Sequence, residues 1–153
     1  MKLSPAETIA GEARLESEHW AAALRDPPDW EAVFSALAPE RFADGLETVY
    51  EAYLVHYGAS RLFDVADGQE RVLLGDYLYA HGLVRIASAG GVEAVAAMAE
   101  LISSCAALRA AGELGDGDAW VRAARALGGA PAEADIARAL ARHAERAPSR
   151  MAS

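Results

Sequence analysis

The stretch from Gln69 to Ala89 constrains the fold most, because it is apolar on nearly every side of a helix. Between Val72 and Ile86 only three side chains are acidic or basic near neutral pH: Asp76, His81 and Arg85. A helix with this pattern has to be covered by other helices, which predicts a central position. The sequence therefore predicts a helical protein built around this segment.

The rest of the chain is typical of further helices separated by clear breaks. Ser4-Pro5-Ala6-Glu7 is a capping box, which predicts a first helix that begins here and runs to about Arg25. Proline pairs, glycine pairs and Asp-Gly turns delimit the others, predicted at 30–38, 39–63, 69–89, 92–114, 118–127 and 132–147. No segment alternates apolar and polar residues over the length of a strand. We expect an all-α, single-domain bundle of about five main and two short helices over residues 1–147, with 148–153 as a flexible C-terminal tail.

Composition narrows the class of protein. The net charge of −9 argues against a nucleic-acid partner. Cys105 is the only cysteine, which excludes an internal disulfide and fits a reducing compartment. Neither a secretory signal nor a long uncharged apolar run is visible, so the sequence predicts a cytoplasmic protein without a transmembrane segment. Association with a membrane remains open if a partner provides it.

Patterns that carry chemistry are sparse. Glu16 and His19 have the Glu-x-x-His spacing of dinuclear metal sites. Such a site needs two copies of the motif, and the sequence has one. Residues on the surface of an amphipathic helix explain that single copy. Cys105 lies on an apolar helix face, as a buried structural thiol does. The spacings of nucleophile elbows and phosphate-binding loops do not occur. We therefore predict no catalytic residues and no resident metal or cofactor.

One segment, from His56 to Gly82, resembles the polyprenyl (trans-isoprenyl) diphosphate synthases. Members of that family carry a helix that ends in a His-rich and then Asp-Asp-x-x-Asp stretch, and a later helix that opens with a Gly-Asp-Tyr-Leu-like motif. Gly75-Asp76-Tyr77-Leu78 matches the second feature, and Leu101-Ile102-Ser103 also looks similar to the family. The resemblance covers roughly residues 46–113.

The chain departs from that family where the family binds magnesium and diphosphate. Phe63 stands where the first aspartate is expected, and Asp64 and Asp67 are the remnant metal-ligand candidates. The basic stretch that follows and the second aspartate-rich motif are missing. Magnesium is therefore implied only if a diphosphate site survives. The chain thus resembles the small, non-catalytic subunit of two-component heptaprenyl diphosphate synthases. Turn and cap roles would equally explain both aspartates.

These observations predict a non-catalytic helical subunit related to polyprenyl diphosphate synthases, which binds a larger protein subunit or forms a homodimer. The alternative is an accessory or scaffold subunit of another complex, for example a respiratory or membrane-associated one. An independent enzyme or a carrier of a small ligand is the third possibility.

The interface candidates are four residues of the central helix and one stripe of the last helix: Gly75, Tyr77, Leu78, Gly82, Arg138, Arg142 and Arg146. The two glycines would admit either a partner helix or a neighbouring helix of the same chain. Solvation and the helix dipole would equally explain the arginine stripe.

Overall fold

A computed structural model describes residues 2–148, and over this range the protein is helical. Its six α-helices are α1 (Pro5–Glu16), α2 (Glu18–Ala23), α3 (Ala43–Tyr57), α4 (Gly68–Ala111), α5 (Asp116–Ala126) and α6 (Glu133–Arg146). Two 3-10 turns, Ser35–Leu37 and Glu40–Phe42, precede α3. Residues 2–148 contain no strand, only an isolated bridge between Leu24 and Phe63. The predicted all-α class is confirmed. Residues 149–153 of the predicted tail lie outside the described residues.

The enclosed helix is α3, and α4 is enclosed on one side only. Leu46, Val49, Tyr50 and Leu54 of α3 are at most 1% exposed. The segment predicted to be central forms the first half of α4, and it packs one face on α3 while Leu73 and other residues remain exposed. Neighbouring helices therefore do not cover this segment on every side: α3 occupies one face, and no other helix of the described chain covers the opposite one.

The N-terminal helix begins as predicted but ends earlier. Ser4 Oγ accepts a hydrogen bond from Glu7 N–H at 3.2 Å, and Glu7 Oε1 accepts from Ser4 N–H at 2.9 Å, which confirms the capping box. Ser17 then leaves the helical conformation and caps α2, where its hydroxyl accepts from Trp20 N–H at 3.0 Å. A second cap inside the predicted helix therefore divides it in two.

The region around α3 shows the largest differences from the sequence prediction. The predicted helix at 30–38 is reduced to one 3-10 turn, because a carboxylate of α3, Glu47, accepts hydrogen bonds from the backbone N–H groups of Val33 and Ser35. The helix predicted to reach Phe63 ends at Tyr57, and residues 58–63 fold back along α3. Side chains distant in sequence, and not the local pattern, determine both boundaries.

Glycines divide and terminate the long helix. Gly91 has φ 71° and ψ −159°, a conformation that side chains rarely allow, and it kinks α4 where the sequence predicted a break. Gly112, with φ 68°, ends the helix. The helix that follows begins at Asp116, after Gly115, and not at residue 118 as predicted.

Candidate functional site

One face of α4, before the Gly91 kink, is open to solvent. The exposed residues of this face follow one another at steps of three and four residues, which places them on one side of the helix. We call this set the α4 stripe: Leu73, Asp76, Ala80, Val84 and Ala87. Leu73 is 57% exposed and Val84 is 66% exposed. Asp76 is the only charged member, so the stripe is a largely apolar surface.

The opposite side of the same helix is buried against α3. A methyl group on Gly82 would lie 2.5 Å from Val49 Cγ2, and one on Gly75 would overlap the ring of His56. The two glycines therefore admit α3, a neighbouring helix of the same chain. Leu78, 2% exposed, packs in the same core. Gly75, Leu78 and Gly82 thus belong to the interior, which corrects their prediction as interface residues.

Tyr77 lies at the border of the α4 stripe. Its side chain is half-buried, and its ring centroid is 4.3 Å from that of His81. The partial burial raises the pKa of the Tyr77 phenol. His81 Nδ1 in turn lies 3.6 Å from Glu12 Oε2 of α1. Of the four interface candidates on α4, Tyr77 is the one that a partner can reach.

The predicted arginine stripe of α6 divides into two parts. Arg142 and Arg146 bind the segment before α3: Arg142 Nη1 donates to Ala32 O at 3.1 Å, and Arg146 Nη1 lies 2.9 Å from Asp29 Oδ2. Arg138 is exposed and pairs with Asp135 one turn earlier, at 2.8 Å. Two of the three arginines are therefore occupied within the protein, and Arg138 stays accessible.

Asp67 caps α4. Its Oδ1 accepts hydrogen bonds from Gln69 N–H at 2.7 Å and from Glu70 N–H at 3.3 Å. Asp64 is exposed, and its backbone N–H donates to Ala23 O at 2.8 Å. Among the described residues, no group of three or more His, Cys, Asp or Glu side chains could hold a metal ion. The structure thus gives Asp67 the cap role that the sequence left open.

A cleft of about 770 Å³ opens between the C-terminal ends of α3, α4 and α6. Three arginines and three carboxylates contribute to its wall: Arg71, Arg109, Arg146, Glu113, Asp116 and Glu145. The numbers of positive and negative side chains in this wall are equal. The guanidinium groups also have internal partners; Arg71 Nε, for example, donates to Val55 O at 2.8 Å.

A polar network extends from the wall of this cleft into the core. Asp116 Oδ2 lies 3.0 Å from His143 Nε2 and 2.8 Å from Arg109 Nη2, and it also accepts a hydrogen bond from the Tyr53 hydroxyl. The Tyr50 hydroxyl lies 2.7 Å from His143 Nδ1. Burial alone would raise the pKa of Asp116, but the hydrogen bonds from His143 and Tyr53 and the charge of Arg109 hold it well below its usual range.

The arrangement of this network suits packing better than chemistry. His143 is 4% exposed and Tyr50 is fully buried, so neither reaches the cleft. Burial raises the pKa of the Cys105 thiol to about 12, which leaves it protonated and unreactive. The network instead joins α5 and α6 to α3 through their polar side chains.

Sequence reasoning missed Leu73, Ala80, Val84 and Ala87 as surface residues. The signal was present, because they share one side of the helix and include a single charge among them. What the sequence could not show is that α3 covers one side of α4 and leaves the other open.

The same helix has the composition of a membrane-spanning segment. Within Gly68–Ala111, a window of 18 residues has a mean hydropathy of 1.5, and 22% of that window is buried inside the protein. By length and composition alone, it could cross a membrane. The sequence contains no apolar run of this length without a charge. The core helix of a protein outside a membrane can have the same composition.

Comparison with known proteins adds no relative: neither a family model, nor a curated protein, nor a solved structure matches the chain.

Proposed function

We propose that this chain is a non-catalytic helical subunit that acts by binding another protein chain through the α4 stripe. The observation that carries the proposal is that Leu73 and Val84 are more than half exposed on a helix whose other side forms the core. Exposed apolar surface costs free energy in water, at about 25 cal/mol per Å². Surfaces of this kind mark contacts with proteins or membranes.

The resemblance to polyprenyl diphosphate synthases suggests an identity for such an assembly. In this finer form of the proposal, the chain is a relative of their small subunits, located in the cytoplasm. Two observations support the non-catalytic part. Asp67 is occupied as a helix cap, and Phe63, at the position of the expected first aspartate, is 1% exposed in the core. One Asp67 oxygen is therefore engaged by the backbone, and position 63 offers no oxygen ligand for a magnesium diphosphate.

The second candidate is an accessory subunit of another assembly, including a membrane-associated one. The observation that favours it is the apolar window within α4, of which 22% is buried. Such a surface would equally fit an apolar face of a larger complex.

Copurification with matched variants tests the proposal. The tagged chain is expressed in its native host as the wild type, as Val84→Glu and as Leu114→Glu, and the bound proteins are identified by mass spectrometry. Leu114 is 62% exposed and lies beyond the end of α4, so it controls for the loss of exposed apolar surface elsewhere.

We expect Val84→Glu to lose the partner and Leu114→Glu to keep it, with both variants equally folded by circular dichroism. A prenyl synthase chain among the partners would support the finer form, and a different complex would support the second candidate. Equal recovery of the same partner by all three proteins would overturn the proposal that the α4 stripe is the binding surface.

A further inference from the structure

We propose that a small cavity beside the C-terminal end of α3 binds the carboxylate group of a small molecule. The cavity has a volume of about 120 Å³ and is lined by the end of α3, by the segment that follows it and by the first turn of α4. Two arginines, Arg25 and Arg71, contribute to its wall. The site uses no residue of the α4 stripe, so it is independent of the proposed function.

The wall of the cavity carries an excess of positive charge. Among the described residues, neither Arg25 nor Arg71 forms an ion pair with a carboxylate. Of the residues that line the cavity, Asp64 alone carries a carboxylate, and its side chain is exposed. Two guanidinium groups and one carboxylate give a net charge of +1 in a chain whose net charge is −9. This local charge complements an anion with a single negative charge.

Backbone carbonyls hold both guanidinium groups in place. Arg25 Nε donates to Phe63 O at 3.1 Å. Arg71 Nε donates to Val55 O at 2.8 Å, and its Nη2 donates to Gly58 O at 3.3 Å. Both Nη groups of Arg25 and Nη1 of Arg71 then remain without an acceptor in the described part of the chain. Guanidinium N–H groups bind the paired oxygens of a carboxylate well, because the two groups match in geometry and charge.

The size of the cavity favours a group of a few heavy atoms. Its volume exceeds the roughly 30 Å³ that one water molecule occupies in the liquid, and it is below the roughly 300 Å³ at which pockets for drug-sized ligands begin. A phosphate monoester has about the same size but carries a charge of about −1.5 to −2 at neutral pH. The net charge of +1 does not balance that charge, and Asp64 repels it. The site therefore suits a carboxylate better than a phosphate.

Titration of the full chain with sodium acetate, followed by the NMR signals of backbone amides, tests the site. Arg25→Met removes one guanidinium group and keeps Arg71, which also holds the end of α3. Arg14→Met is the matched control, because Arg14 is exposed and lies outside the wall of the cavity. Both substitutions change the net charge of the protein by the same amount, so a difference between them reports the site and not the overall charge. Circular dichroism shows whether each variant is folded.

We expect millimolar acetate to shift the amide signals of Ser60 and Val65, two residues of the wall, in a saturable manner. Arg25→Met should weaken acetate binding by at least about tenfold, because charge-assisted hydrogen bonds are lost, and Arg14→Met should bind acetate as the wild type does. Asp64→Asn should strengthen binding by at least about threefold, because it removes the negative charge beside the anion. Inorganic phosphate, at a pH where it is a dianion, should bind more weakly than acetate.

A wild-type protein without a saturable shift in the millimolar range would overturn the inference. Equal weakening by Arg25→Met and Arg14→Met would assign the effect to overall charge and would also overturn it. Tighter binding of phosphate than of acetate would contradict the choice of a carboxylate. Asp64→Asn alters an exposed side chain, so unchanged or weaker acetate binding by this variant decides against the site even if Arg25→Met does not fold. None of these results affects the proposed role of the α4 stripe.

Discussion

Arg61 Nη1 lies 2.6 Å from Glu47 Oε1, and both side chains are inaccessible to water. The same guanidinium faces a second carboxylate one turn along α3, because its Nε lies 2.8 Å from Glu51 Oε1. The remaining carboxylate oxygens are occupied by backbone N–H groups: Glu47 Oε2 accepts from Val33 and Ser35, and Glu51 Oε2 accepts from Arg61. These three side chains therefore hold the chain segments that precede and follow α3 against that helix.

Replacing Arg61 by Met should destabilise the protein severely. The change would leave two carboxylates buried without a cation, which costs about 3–5 kcal/mol in comparable pairs. Arg138→Met is the matched control, because Arg138 is exposed and pairs only with Asp135 among the described residues; we expect a change within about 0.5 kcal/mol. The free energy of unfolding of both variants is measured by urea titration followed by circular dichroism. Equal midpoints for Arg61→Met and the wild type would contradict the structural role of the ion pair.

The local pattern predicted the helical class and most helix positions, because caps and glycines act within a few residues. The capping box at Ser4 and the break at Gly91 are examples. The boundaries of α3 were not predictable in the same way. They depend on Glu47 and Glu51, whose carboxylates accept hydrogen bonds from backbone N–H groups ten or more residues away, one on each side of α3.

The candidate site was predicted only in part, for a related reason. The sequence identified the correct helix, but it assigned Gly75, Leu78 and Gly82 to a possible interface, and α3 covers these residues. Periodicity shows that a helix has several apolar sides, and it does not show which side a neighbouring helix will occupy. Arg146 illustrates the same limit, because its partner Asp29 lies at the other end of the chain.

Asp116 should make the protein acid-sensitive. Its pKa is lowered in the folded state, so the unfolded chain, with a pKa of about 3.9, binds the proton more tightly. The resulting stability is fully present above the unfolded pKa and is lost as pH falls through the folded pKa. Asp116→Asn removes this carboxylate and should flatten the decline in unfolding free energy on the acidic side of pH 5.

Asp118→Asn is the control for that experiment, because Asp118 is exposed on the same helix and lies outside the network. The free energy of unfolding is measured by urea titration at several pH values down to the acid limit of folding. Parallel pH profiles for Asp116→Asn and the wild type would show that the network does not hold the Asp116 carboxylate in its charged form.

Asp67 should contribute to stability as a helix cap. Replacing Asp67 by Ala removes the acceptor for Gln69 N–H and Glu70 N–H and should cost about 1 kcal/mol, whereas Asp67→Asn keeps an acceptor and should cost much less. Asp64→Ala, at an exposed residue, should have little effect on stability. Thermal unfolding with and without magnesium distinguishes a cap from a metal ligand. A magnesium-dependent stabilisation that either alanine variant abolishes would contradict the cap assignment.

Gly82 should tolerate no side chain, because it is the point where α4 crosses α3. A methyl group there would lie 2.5 Å from Val49 Cγ2 and 3.0 Å from the Val49 backbone nitrogen, so the helices would have to separate. We expect Gly82→Ala to lower the free energy of unfolding by about 1–3 kcal/mol, as overpacking does in other cores. Gly11→Ala is the matched control within α1, where the added methyl group has no atom within 4 Å. That change should raise stability by about 0.5–1 kcal/mol, because alanine favours the helix. If urea unfolding showed Gly82→Ala to be as stable as Gly11→Ala, the close packing of α4 on α3 would be wrong.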